Sequence, residues 1–219
     1  MIQHFQPISV FKKDPYKKIL SFPKVKDSEI EKRIVELRKL GVTHVSFTGP
    51  LRIEKCNILG KGYVGMVLLA KKEKEIFALK IRRTDSPRKN MTNEAKLLSI
   101  ANKIGIGPKF IKNSKNFLIM EYIDGEKIID WVKKSKIKSK DIRSVINNVL
   151  RECYLLDNAG LDHGELSTID KHVIIGKNRN TIIDFESSST KRKSSNVSAA
   201  IQAIFIGTGL AKIIRKKIK

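Results

Sequence analysis

The sequence predicts an α+β fold of two lobes, an antiparallel sheet lobe followed by a reduced, mostly helical lobe. Three observations carry this reading. First, β-forming residues fill residues 52–59, 64–70 and 75–81, separated by a Gly-rich turn and by a charged turn at 71–74, as three consecutive antiparallel strands would be. Second, a helical stretch at 90–103 stops at Gly105 and Pro108, and two short strands follow near Phe110 and at 117–122. Third, Asp124-Gly125 punctuates the chain, and beyond it the periodicity turns helical.

The remaining elements follow the same logic. Residues 1–26 carry Pro7, Pro15 and Pro23 among basic residues with little periodicity, and read as an irregular arm. Ser28 and Glu31 have capping-box spacing, Ile30, Ile34 and Leu37 share one helical face, and Gly41 supplies the stop. In the second half, Ile142, Val145, Ile146, Val149, Leu150, Cys153 and Leu156 mark a long amphipathic helix ending at Gly160. A hairpin is expected at 172–175 and 181–185, turning at 178–180. The uncharged stretch 194–211 is diluted by Ser, Asn, Gln, Thr and Gly, and reads as a buried helix rather than a membrane span. The expected division is therefore 1–50 for a basic arm and helix, 51–123 for the sheet lobe and 124–219 for the helical lobe.

Charge and cysteine content limit the function classes. The 219 residues include 45 Lys+Arg against 22 Asp+Glu, a formal net charge of +23. Such an excess fits a polyanionic partner, nucleic acid first and an anionic membrane surface second, but also a Lys-rich solvated surface. Cys56 and Cys153 form no CxxC pair and read as buried free thiols, and the four histidines are too scattered for a His-rich centre. No stretch near the N-terminus resembles a signal peptide, so a soluble cytoplasmic protein is expected.

Three groups of residues carry chemistry. Gly60-Lys61-Gly62-Tyr63-Val64-Gly65-Met66-Val67 spells G-x-G-x-x-G-x-V between two strands. Glycines in such a hairpin let backbone N–H groups approach phosphate oxygens. Ala78-Leu79-Lys80 places a lysine among apolar residues of the third strand. An inward-facing ammonium there needs an anionic partner, and Glu94 on the next helix is suited to the task. Finally, Glu165, Asp170 and Asp184 sit at turns flanking one hairpin, where carboxylates could converge on Mg²⁺ and on an attacking hydroxyl.

In this order the motifs resemble the protein kinase superfamily, from about Leu59 to Phe185. In outline the chain is closest to small archaeal atypical kinases, such as the RIO family and the kinase of the tRNA threonylcarbamoylation complex. It is similar above all to a predicted archaeal Ser/Thr kinase group whose catalytic loop also departs from H-R-D. The resemblance implies a protein-kinase-like fold and an ATP- and Mg²⁺-dependent Ser/Thr phosphotransferase. It implies that Leu59 and the glycine loop through Val67 cover ATP, with Ala78 beneath it, and that Lys80 pairs with phosphates and with Glu94. Glu121 to Ile123 would receive adenine, Glu165 would act as the base, and Asp170 and Asp184 would hold Mg²⁺. Glu165 stands where the family has Asp, Asp170 where it has Asn, and Glu186 where it has the Gly of DFG; no A-P-E follows.

The alternatives belong to other classes: a nucleotide-binding pseudokinase or ATP-switched subunit of an RNA-associated assembly, or a small-molecule kinase. Expected partners are a protein substrate or the protein itself, with RNA contact through Lys133, Lys134, Lys136, Lys138, Lys140 and the tail Arg215, Lys216, Lys217 and Lys219. Serines and a threonine after Asp184 (Ser187, Ser188, Ser189, Thr190, Ser194, Ser195) surround Lys191-Arg192-Lys193 and could accept phosphate, or simply form a polar loop.

Overall fold

The computed structural model describes residues 4–207 and 209–218; Lys219 of the basic tail lies outside them. The chain forms two compact units, one of residues up to Ala95 together with Phe110–Tyr122, the other of Lys96–Lys109 and Ile123 onward.

The first unit is built on strands β1 (Phe5–Pro7), β2 (His44–Ser46), β5 (Gly60–Lys61), β6 (Gly65–Lys72), β7 (Glu75–Arg82), β8 (Phe110–Asn113) and β9 (Phe117–Glu121). They form one antiparallel sheet in the order β1-β2-β6-β7-β9-β8, with β5 also on β6. Helices α1 (Tyr16–Leu20), α2 (Asp27–Leu40) and α3 (Thr92–Lys103, which runs on into the second unit) and the hairpin β3 (Leu51–Ile53) with β4 (Cys56–Ile58) complete it. Side chains alternate across a strand, so Met66, Leu68, Ala70, Phe77, Leu79, Ile81, Phe117 and Ile119 enter one core with Ile30, Ile34 and Leu37 of α2. The register places Val67 beside Lys80, Leu69 beside Ala78, and Leu118 and Met120 beside Lys80 and Ala78, all on the other face.

Several expectations are corrected. Within the expected irregular arm of residues 1–26, of which residues 1–3 lie outside the described residues, β1, a 3-10 turn at Ile8–Lys12 and α1 bring Phe11, Ile19 and Leu20 into the core with no exposure. Elements of three to five residues are too short to show a period. The Ser28–Glu31 capping box does not form, because the helix starts at Asp27 and Ser28 falls within its first turn; Asp27 and Glu29 instead complement the helix dipole. Residues 52–59 do not form one strand of the main sheet, because Glu54 adopts φ 53 and folds them into the separate β3–β4 hairpin.

Helix α2 also buries a charge that the periodicity missed. Arg33 is fully buried; its Nε donates to Glu29 at 2.8 Å and its Nη1 to the carbonyls of Leu20 and Arg82, each at 2.7 Å. Asn116, whose Oδ1 accepts from Arg33 and Arg82, is held in turn by Glu36. The guanidinium thus ties α2 to the end of β7 and to the β8–β9 turn.

In the second unit, β10 (Gly125–Lys127), β11 (Val173–Gly176) and β12 (Asn180–Ile182) form an antiparallel sheet. The hairpin thus gains a third strand that the sequence reading lacked, too short and too polar to stand out. Helices α4 (Ile128–Lys133), α5 (Ser139–Asn158), α6 (Ile169–His172), α7 (Asn196–Ile201) and α8 (Gly209–Lys217) surround it. Helix α5 buries the expected face and stops at Gly160, φ 64. Cys56 and Cys153 are buried free thiols, and burial pushes Cys153 up to about 12, which excludes it as a nucleophile at neutral pH.

The stretch 194–211 is not one buried helix. A π-helical turn at Gln202–Ile206 follows α7 and ends at Gly207, leaving Phe205 and Ile206 41% and 69% exposed. Among the described residues, no single helix is long and apolar enough to cross a membrane; Asn196–Ile206 and Gly209–Lys217 reach that length and composition only as a pair bent by 65°.

The Arg33 network yields a stability prediction. Arg33→Ala strands the buried Leu20 carbonyl and takes a donor from the Arg82 carbonyl and from Glu29, while Asn116 keeps its bonds to Arg82, and should lower the unfolding free energy by about 2 kcal/mol or more. Urea denaturation checks this; a change below about 1 kcal/mol would show that water replaces the guanidinium.

Candidate active site

The phosphate-binding candidates lie in the first unit. Lys61 pairs with Met66, and the Gly62 N–H donates to the Gly65 carbonyl at 2.8 Å, closing a tight turn that leaves Tyr63 71% exposed at its tip. A Cβ on Gly65 would lie 2.8 Å from the Ile81 carbonyl and 3.2 Å from Cγ of Lys80. Glycine is therefore required where the loop crosses β7.

Strand β7 is central, flanked by β6 and β9, so Lys80 cannot extend past an edge into water. It is 3% exposed, and its Nζ lies 2.8 Å from Oε1 of Glu94, itself 6% exposed in the first turn of α3. The Asn90 side chain caps this helix by accepting the Thr92 N–H at 3.0 Å, and the Met91 N–H donates to the Lys115 carbonyl. Glu94 is thus fixed from both sides of its turn. Lys80, Ala78 and Val67 share a sheet face; Met66 and Val64 are buried, with Met66 in the opposite core, while Leu59 is partly exposed. Glu121 ends β9 and Ile123 opens the second unit.

The second unit holds the carboxylates. His163 and Glu165 lie on the loop after α5, Asp184 just after β12, and His172 at the end of α6 immediately before β11. One donor atom from each of Glu165, His172 and Asp184 lies within 4.8 Å of the others. Asp184 has φ 71, a left-handed conformation that Asp tolerates better than most residues and that turns the chain into buried Phe185. Asp170 is not one of the three; it sits in the first turn of α6, two residues before His172. Sequence reasoning missed His172, since it set the four histidines aside together. The available signal was its position directly before the strand that pairs with the Asp184 strand.

Other unforeseen residues hold this loop in shape. Asp157 accepts the backbone N–H groups of Asn196 and Val197 and the Asn196 amide, which caps α7 from a distance. Asn196, 1% exposed, accepts the His163 N–H at 2.8 Å and donates to the Leu161 carbonyl. Nε2 of fully buried His163 faces the Ile183 carbonyl at 3.1 Å, and burial lowers its pKa to about 4, so the ring is neutral and donates there. A second strap runs beside the loop: Asp162 and Ser189 exchange backbone hydrogen bonds of 2.9 and 2.8 Å. Arg192 binds Asp162 and the Ser187 carbonyl, and Ser188 binds the His163 carbonyl. The Ser187 hydroxyl donates to Oε1 of Glu165 at 2.9 Å, and Oε2 lies 3.4 Å from Nε2 of His172.

The first unit thus holds a buried lysine–glutamate pair beside a glycine turn, and the second holds two carboxylates with a histidine on a hydrogen-bonded loop. The class of protein comes from comparison with known proteins. Residues 69–199, more than half of the chain, match the RIO domain model, an atypical protein kinase family, and the chain belongs to this family. The match begins after the glycine loop, so the loop rests on its own geometry. The chain is also 30% identical over 99 residues to an uncharacterized protein of Methanocaldococcus jannaschii, covering 45% of this chain and 83% of that protein. The family is ATP-binding and kinase-like. Lys133, Lys134, Lys136, Lys138 and Lys140 are exposed, and Lys133 and Lys134 pair with Asp130 and Glu126 of their own unit.

Gly164 tests the strap. At φ 85, its added Cβ would lie 2.5 Å from Nη2 of Arg192 and 2.7 Å from the Ser187 carbonyl. Gly164→Ala should cost about 1 kcal/mol or more and speed hydrogen exchange at the Ser189 and Asp162 amides. Unchanged exchange would mean that the strap does not depend on this contact.

Proposed function

We propose that the protein is an ATP- and divalent-metal-dependent protein kinase that transfers the γ-phosphoryl group to serine or threonine hydroxyls, its own included. The observation that carries this reading is the buried pair, 2.8 Å apart, between Lys80 on a central strand beside Gly65 and Glu94 on α3. Burying an ion pair rarely adds stability over apolar packing. Holding an ammonium ready for phosphate oxygens gives it a use.

In this mechanism Lys80 neutralises the phosphates, oriented by Glu94, while the Gly60–Gly65 turn lies over them. The residues of the second unit fit a divalent cation: Asp184 and Glu165 offer hard carboxylate oxygens, with a ring nitrogen of His172 beside them, all within 4.8 Å of one another. When bound, the cation neutralises charge on the transferring phosphate, and Mg²⁺ is the family expectation. Glu165 takes the acceptor proton as the oxygen–phosphorus bond forms and the bond to ADP breaks. The Ser187 hydroxyl on Oε1 supports this role, because it displays a serine O–H donating to that carboxylate.

The test is incubation of the purified protein with γ-labelled ATP, Mg²⁺ or Mn²⁺ and a generic protein substrate, with phosphosites mapped. Lys80→Ala and Asp184→Ala should abolish transfer, and Glu165→Ala should reduce it on the order of 100-fold or more. Transfer unaffected by Glu165→Ala would overturn the base assignment. ATP binding without any transfer would favour a nucleotide switch.

A further inference from the structure

We propose that Phe22, on the N-terminal segment, is a positioning residue for the glycine turn: its ring gathers the Lys61 and Arg83 cations, and this clasp holds the turn ready for nucleotide phosphates. The consequence for nucleotide rests on the reading above, while the clasp itself is measurable without nucleotide. The family match begins at residue 69, so it assigns nothing to Phe22 or to the turn.

The first argument is how Phe22 is held. Residues 20–22 run alongside the end of β7. Arg33 donates to the Leu20 and Arg82 carbonyls at 2.7 Å each. The Thr84 N–H and hydroxyl both donate to the Phe22 carbonyl, at 2.8 and 2.9 Å. Ser21 between Leu20 and Phe22 is fully buried, and the Phe22 ring packs against the core of the unit. The ring therefore sits on a fixed piece of backbone, and its place does not depend on the cations.

The second argument is what Arg83 does beside Thr84. Its N–H donates to the Val64 carbonyl at 2.8 Å and its Nη1 to the Gly62 carbonyl at 3.3 Å. Asp85 holds the same guanidinium through Nε and Nη2, at 2.9 and 2.7 Å. Two consecutive residues thus grip two different elements: Thr84 the N-terminal segment, Arg83 the turn.

The third argument is the ring itself. Lys61 Nζ stands 4.6 Å and Arg83 Cζ 5.2 Å from its centroid, both within cation–π range. Lys61, between Gly60 and Gly62, is otherwise exposed. Two cations gathered on one ring repel unless an attraction offsets it, and the ring and Asp85 supply that attraction. Glycine loses more conformational freedom on ordering than any other residue. A turn with three glycines therefore pays heavily to seat a phosphate, unless it is ordered beforehand. The Phe22 clasp orders it from a segment far away in sequence.

The test compares the isotopically labelled full chain with Phe22→Leu and Phe22→Tyr by nuclear magnetic resonance without nucleotide, then titrates each with a fluorescent ATP analogue. In the wild type the Lys61 ε-methylene protons should be shielded by the ring relative to other lysines. Phe22→Leu should remove that shielding and speed exchange of the Gly62 and Arg83 amides about two- to five-fold. The Leu79 amide, deep in the same strand, should exchange at its wild-type rate, which a general loss of stability would not allow. Analogue affinity should fall by the same factor, and Phe22→Tyr should restore all three readings. Lys61→Met, which leaves Phe22 in place, should speed the same amides, and should add nothing in the Phe22→Leu background. An unshielded Lys61 in the wild type, turn exchange unchanged by either Phe22→Leu or Lys61→Met, or full analogue affinity in Phe22→Leu would overturn the proposal. Wild-type protein that binds no analogue would sink the nucleotide reading and with it the positioning role, even where the shielding is seen.

Discussion

An ammonium group on the middle strand of a sheet is the constraint from which the first unit is organised. Lys80 lies between β6 and β9, out of reach of solvent, and only a buried carboxylate makes that position tolerable. Glu94 must then be delivered by a helix whose first turn is anchored at Asn90 and at Met91. Gly65 must be glycine, because a Cβ there would run into the Ile81 carbonyl and the lysine stem of the opposite strand. The opposite sheet face is free to be wholly apolar, and it is covered by the N-terminal segment and α2.

The second unit solves a different problem, that of gathering negative charge on loops without letting them drift. It does so with neutral and opposite-signed partners placed behind the carboxylates. Asp157 and Asn196 fasten the backbone at His163, buried neutral His163 braces Ile183, and Arg192 draws the 187–189 strap onto Asp162. Loops so over-determined can hold carboxylates to the tolerance that phosphoryl transfer requires. One departure from the usual motif sits within this frame: the Glu165 carboxylate already engages the Ser187 hydroxyl.

Much of this was legible beforehand, and what escaped has common causes. Long elements declared themselves: the α5 stripe from Ile142 to Leu156 and the strands containing Val67 and Lys80 follow clean periods. The Lys80–Glu94 partnership was inferred because a lysine amid apolar strand residues demands an acid. The N-terminal strand and helix were missed because three to five residues show no period, and the burial of Phe11 and Ile19 is decided by tertiary contact. Arg33 on the α2 core face contradicts its residue type; only the distant Asn116 and two carbonyls make it acceptable. His172 and the Ser187–Glu165 bond depend on loop geometry that spacing along the chain does not encode.

The central claim is that Lys80 and Glu94 are kept for phosphate rather than for stability. Its most direct test replaces both at once, as Lys80→Met with Glu94→Leu, and measures urea unfolding and calorimetric ATP affinity side by side. An apolar pair of similar volume should leave stability within about 1 kcal/mol of the original or raise it, while ATP affinity falls at least ten-fold. Retained ATP affinity in the double variant, or a loss of several kcal/mol in stability, would contradict the account and make the pair a structural strut.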